Sequence, residues 1–166
     1  VWGDKAVGAP FNVYAPGGYL HADGKFENLR TWAYGLTAGD SLSDRWPLRE
    51  FEDKNYHLRV YGPNGFFREF KGNAEDPAVN IDFTYQNGLT DSKKLTGNVI
   101  VTVANQSGKP QTIEITDHAY KSNNHKKTLP ALGKANLVLD LDKSHHWYDF
   151  SVRVTGHGSF EKRYAG

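Results

Sequence analysis

The chain contains no cysteine. That excludes disulfide bracing, a thiolate nucleophile and thiolate metal ligation, and it leaves the redox compartment open. No apolar run approaches the ~18 residues that a membrane-spanning helix needs. An excess of one charge is missing too: 20 Lys plus Arg face 19 Asp plus Glu, for a net charge of +1. The basic residues are scattered, so the electrostatic footprint of a nucleic-acid binder is absent and no nucleic-acid partner is expected. No segment carries a convincing helical period. Gly-x-Ser-x-Gly, His-Glu-x-x-His and a phosphate-cradling glycine loop are all missing. What is present is a 13% aromatic content with 17 Gly and 7 Pro, a mixture that suits short strands and tight turns and opposes disorder.

The stretch YHLRVYGPNGFFREFKG, residues 56–72, organises the rest. Asn64-Gly65 predicts a type I′ hairpin turn, which needs positive φ at both central positions. Tyr56, Leu58 and Val60 share one face of the first arm, which leaves Tyr61 opposite the core face. On the second arm Phe66, Arg68 and Phe70 alternate with Phe67 and Glu69. The C-terminus repeats the pattern. Tyr148, Phe150, Val152 and Val154 form an arm, Gly156-His157-Gly158 a turn, and Phe160, Lys162, Tyr164 and Gly166 match Phe66, Arg68, Phe70 and Gly72. A repeat of this kind sets the domain count. The reading is all-β: two small antiparallel β-sandwich, immunoglobulin-like domains in tandem, each near the lower size limit for independent folding. Residues 1–9 read as a linker holding Trp2, residues 10–75 as the first repeat and residues 76–166 as the second, with the break near Asn73-Ala74-Glu75-Asp76-Pro77.

Within these units the pattern predicts a short strand at 11–14 stopped by Pro16-Gly17-Gly18, a loop over 17–27 and a strand over 29–36. A weak segment at 41–48 is demoted by Pro47 to an edge strand or a bend. Val79, Ile81, Phe83 and Tyr85 alternate on a half-buried strand. Residues 87–96 read as a loop, the β-branched run 98–104 as a central strand, 112–120 as its hairpin partner and 121–127 as a polar loop. Leu137, Leu139 and Leu141 mark a further strand. Tyr148 and Tyr56 each follow a turn, as tyrosine-corner residues do.

No catalytic constellation, metal-ligand set or cofactor motif emerges. His145-His146 sit in a turn, where adjacent side chains diverge rather than converge on a metal. Asp140-x-Asp142-x-Ser144 resembles the front of a calcium loop but lacks its glycine and closing glutamate. Asn105-Gln106-Ser107 fits a glycosylation sequon, and a turn explains it equally well. The candidates for binding are aromatic: Trp46 and Trp147 beside turns, and Tyr61. Such residues can stack on sugars, sit at a lipid headgroup interface, or simply fill two thin cores. Lys93, Lys94, Lys126 and Lys127 read as solvated loop charges.

Several of these motifs together suggest a family. PFNVYAPG at 10–17, AGDSLSD at 38–44, Trp46-Pro47-Leu48 and the hairpin at 56–72 resemble the C-terminal region of bacterial phosphocholine-preferring phospholipases C. Residues 97–105, Trp147-Tyr148-Asp149-Phe150 and the closing FEKRYAG resemble the second of the tandem domains that end those enzymes. The resemblance implies a metal-dependent catalytic domain upstream, carrying the nucleophile and metal ligands, and export to the periplasm or outside. It carries no catalytic residue to any position of this chain. The opening on Val1 rather than Met reads as a piece cut from a longer protein. The expected role is a non-catalytic accessory region that packs on the catalytic domain or engages a phospholipid surface. The alternatives are a carbohydrate-binding module, which requires a coplanar row of exposed aromatics, and a structural or adhesive spacer.

Overall fold

The computed structural model describes residues 8–88, 94–121 and 124–166. Trp2, most of the expected linker and Lys93 lie outside them. Among these residues all regular structure is strand, joined by three short 3-10 turns. β1 (Ala9–Leu20), β2 (Phe26–Leu36), β3 (Tyr56–Tyr61) and β4 (Phe67–Gly72) come from the first half of the chain. β5 (Val79–Asn87), β6 (Leu95–Asn105), β7 (Gln111–Asp117), β8 (His125–Leu129), β9 (Lys134–Leu139), β10 (Asp149–Val154) and β11 (Glu161–Ala165) come from the second. Every pairing is antiparallel. One eight-stranded sheet runs β2-β1-β3-β4-β11-β10-β7-β8, and a three-stranded sheet runs β5-β6-β9.

The two repeated hairpins lie side by side. β4 pairs with β11 in the register Lys71–Glu161, Phe70–Lys162, Glu69–Arg163, Arg68–Tyr164, Phe67–Ala165. In the sequence repeat Arg68 corresponds to Lys162 and Phe70 to Tyr164, so each basic residue faces the other copy's aromatic. The ladder has a local pseudo-twofold axis through the Glu69–Arg163 pair. The hairpins also share internal register: Tyr56 opposes Gly72, and Tyr148 exchanges both backbone hydrogen bonds with Gly166. Each glycine leaves room for the tyrosine across from it. A Cβ on Gly72 would lie 2.5 Å from the Tyr56 hydroxyl, and one on Gly166 would lie 2.6 Å from that of Tyr148. The hydroxyls bond other segments, not their own loops as a tyrosine corner would. Tyr56 donates to Asp76 at 2.6 Å, and Tyr148 accepts from Arg68 at 3.3 Å.

Strand alternation sorts the large sheet into two faces. The inner face of β10, β11 and β7 packs on the three-stranded sheet as a sandwich. Phe150, Val152, Ile113, Ile115, Val99, Val101 and Val103 are buried there. β6 is the middle strand of its sheet, paired on both sides, which is why its β-branched run is buried. Phe83 of β5 stacks on Tyr164 at 5.5 Å. Arg68, from the first half, reaches into this aromatic cluster. Its guanidinium lies 4.2 Å from the Phe66 ring, 5.0 Å from Phe83 and 5.2 Å from Tyr164, and its Nη1 donates to the carbonyls of both Phe67 and Ala165. In the first half the inner face carries Ala15, Tyr19, Trp32, Tyr56 and Leu58. It is covered by Phe51 and Trp46, from the segment that holds the 3-10 turns at Leu48–Glu50 and Glu52–Lys54.

Two local expectations change, and a third resolves to one of its two alternatives. β1 does not stop at Pro16. It continues through Gly17-Gly18 to Leu20, because a bulge between Ala15 and Gly18 absorbs the break. The polar run 121–127 includes the start of β8, an edge strand whose Lys126 and Lys127 face water. Lysine on an edge blunts pairing with other chains and hides the strand from an apolar-alternation reading. The segment 41–48 forms no strand and ends in a 3-10 turn. The Asn64-Gly65 turn forms as expected, with φ of 56° and 76° and Phe66 N–H donating to Pro63 at 3.1 Å.

Phe150 is 1% exposed and joins Phe83, Tyr148 and Tyr164 in the aromatic cluster. Phe150→Ala is expected to cost about 3–5 kcal/mol. The change should be read as a lower urea midpoint with an unchanged slope.

Candidate functional site

The outer face of the eight-stranded sheet holds the polar constellation. Strand register aligns one row across it: Thr31, Tyr14, Arg59, Glu69, Arg163, Ser151 and Thr116. Glu69 stands near the centre and is 2% exposed. One of its oxygens accepts from Arg59 Nε at 2.7 Å and from His57 Nε2 at 2.6 Å, with Lys71 Nζ at 3.6 Å. Burial alone would raise the Glu69 pKa. The hydrogen bonds from Arg59 and His57, with the charge of Lys71, outweigh burial and hold it at about 2. Burial lowers the His57 pKa, against the pull of Glu69. His57 therefore donates to the carboxylate as a neutral ring, and the linked charges Arg59, Lys71 and Arg153 against Glu69 and Glu161 keep one surplus positive charge. Beyond it Arg163 grips Asp149 through two hydrogen bonds of 2.7 Å, and Glu161 bonds Arg153.

Beside this cluster lies an open groove of about 330 Å³ lined by Tyr14, Pro16, Leu29, Arg59 and Tyr61. Tyr61 is 43% exposed and lies between Tyr14, edge-on at 5.4 Å, and Phe67, tilted at 5.0 Å. Trp147 is half exposed and its ring packs on Gly65 in the turn of the β3–β4 hairpin, outside the groove lining. Trp46 does not join them. It packs edge-to-face on Trp32 at 5.6 Å in the inner-face cluster, with its indole N–H buried. Tyr61 is the one residue of the three that lines the groove. Sequence reasoning missed Arg59, Glu69 and Leu29. The available signal was the alternation that placed Tyr61 opposite the core face, since Arg59 and His57 share its side of β3.

The remaining sequence features resolve into structure. Asn105 is 2% exposed; its amide donates to the carbonyls of Lys109 and Pro130, and its oxygen accepts from Ser107. The amide nitrogen that glycosylation would modify is thus committed inside a turn. Asp140 accepts from the Asp142 backbone N–H at 3.0 Å, an Asx turn. Ser151 Oγ and His118 Nε2 are 2.9 Å apart, a nucleophile–base distance. Ser151 is nevertheless 1% exposed, in the middle of a strand paired on both sides, with no room for a reacting group. Among the described residues no group of three or more His, Asp or Glu could hold a metal ion. No helix among them is long and apolar enough to cross a membrane.

Comparison with known proteins matches residues 3–73 and 77–166 to the family described as bacterial phospholipase C, C-terminal domain. A non-hemolytic phospholipase C of Pseudomonas aeruginosa is 32% identical over 113 residues, 68% of this chain and 16% of that protein. A non-hemolytic phospholipase C of Burkholderia pseudomallei is 30% identical over 138 residues, covering 81% of this chain and 19% of that protein. A hemolytic phospholipase C of P. aeruginosa is 30% identical over 141 residues, 80% and 18% respectively. The chain thus spans less than a fifth of the length of each of these relatives.

Glu69 gives the outer face a defined acid response. Its folded pKa of about 2 lies below the ordinary value of 4.5. The stability tied to its charge is therefore complete above about pH 4.5 and is lost as pH falls through about 2. Glu69→Gln should be less stable than the parent at pH 7, and the gap should close between these two values. Urea midpoints measured at neutral pH and at several points down to pH 2 would check this.

Proposed function

Since the chain belongs to the family of bacterial phospholipase C C-terminal domains, we propose that it is the non-catalytic accessory region of such an enzyme. It packs on an upstream catalytic domain and presents a surface to phospholipid. Family membership supports this reading. The single structural observation that carries it is the outer face, which combines a held arginine with exposed tyrosine and leucine. The chain reads as two repeat units, 10–75 and 76–166, a division that the paired hairpins and the two matched segments support. Export to the periplasm or outside fits an enzyme that meets lipid there. A carbohydrate-binding role needs coplanar aromatic rings. Tyr14 and Tyr61 instead cross at 88°, so the groove holds no coplanar pair for a sugar ring.

The test has two arms. The purified chain should release no phosphocholine from phosphatidylcholine, and its tryptophan fluorescence should be unchanged by soluble glycans. A full-length enzyme lacking the region should lose turnover on vesicles and keep it on a soluble phosphodiester. Hydrolysis by the chain alone, or equal turnover on vesicles with and without it, would refute the reading.

A further inference from the structure

Leu29 is built against two ordinary preferences at once. It adopts φ of 71°, in the left-handed region that γ-branched residues avoid, and it is 52% exposed. The cause is the bulge: the β1–β2 register jumps between Ala15–Arg30 and Gly18–Asn28, so Leu29 alone opposes Pro16 and Gly17. A bulge re-aims a side chain, and Leu29 forms a wall of the groove that Arg59 also lines. Arginine there is fixed by one edge. Nε is tied to the buried Glu69, while the terminal nitrogens have no protein partner among the described residues. The Arg59 side chain is 40% exposed. Such a held fork, with surplus positive charge behind it, matches the paired oxygens of a phosphodiester. Around it Tyr14, Tyr61, Pro16 and Leu29 give aromatic edges and aliphatic surface, the side chains that settle at the headgroup level of a bilayer.

We propose that this groove is a phospholipid headgroup site: Arg59 binds the phosphodiester of a lipid in the membrane surface, and Leu29, Tyr14 and Tyr61 contact the chain-proximal part of the same lipid. Charge complementarity selects the anion, and the strained, solvent-facing leucine selects an amphiphile over a soluble phosphate. The inference rests on the accessory reading above but concerns this chain's own surface. Leu29→Asn is the informative variant. Asparagine tolerates left-handed φ, so the bulge should be at least as stable while the apolar contact is lost.

The experiment is co-sedimentation of the 166-residue chain with phosphatidylcholine vesicles containing phosphatidylglycerol, with inorganic phosphate as the soluble probe. The parent should bind. Arg59→Gln should weaken binding about fivefold, the effect of one basic residue near an anionic surface. Leu29→Asn should weaken it with an unchanged or raised urea midpoint, and Arg45→Gln, the same charge change away from the groove, should leave it nearly unaltered. Three results would overturn the proposal: no vesicle binding by the parent, equal losses from Arg45→Gln and Arg59→Gln, or a phosphate-only response at the Arg59 Nε resonance. The accessory reading fails separately. If deleting the region leaves enzyme turnover on vesicles intact while the chain binds vesicles through Arg59, that reading falls and this site stands. If deletion impairs turnover but the chain ignores vesicles, only the site falls.

Discussion

The ladder between β4 and β11 is the contact on which the architecture depends. It turns a four-stranded and a four-stranded piece into one eight-stranded sheet, and it does so about a local pseudo-twofold axis. At that axis stand Glu69 and Arg163, opposite charges directly across from each other on the outer face. On the inner face the same ladder sets Arg68 beside Tyr164 and Lys162 beside Phe70. Burial lowers the Lys162 pKa, and Asp76 and Asp82 work against that shift. The cationic stems pack as aromatic neighbours do, with their charges over ring faces rather than in water. One hairpin repeat thus supplies both the join and the packing on either side of it.

How much of this was legible varies with range. The Asn64-Gly65 turn and the central β6 could be read directly, because each is a local signal: a dipeptide that tolerates positive φ, and a run of Val and Ile too apolar for an exposed strand. The repeat was legible too. Its consequence was not, since nothing local says that two similar hairpins pair with each other rather than each closing its own sheet. β8 escaped notice because an edge strand rich in lysine looks like a loop. β1 was cut short because Pro-Gly-Gly signals an end, and only the partner strand reveals a bulge instead.

The candidate site divides in the same way. Alternation along β3 placed Tyr61 on the face that carries Arg59 and His57. Glu69 lies on a different strand from both, so its role as their common acceptor required the sheet. The special position of Leu29 depends on register between β1 and β2. Leucine carries no sequence mark of a left-handed backbone, unlike Asn64 and Gly65. Trp46 had the sequence setting of an exposed turn residue, yet the covering segment folds it back onto Trp32.

The pseudo-dyad at Glu69 and Arg163 has a consequence for the chain's ancestry and handling. Each hairpin ends in a strand whose hydrogen-bonding edge is answered only by its counterpart, so either half on its own would present an open, self-complementary seam. Two identical copies could mate through that seam as a symmetric dimer. Joining them in one polypeptide converts such a bimolecular union into an intramolecular one, at the high effective concentration a short tether provides. The tandem chain is in this sense a pair closed covalently at this one seam, and the edges left to the large sheet are β2 and the lysine-bearing β8.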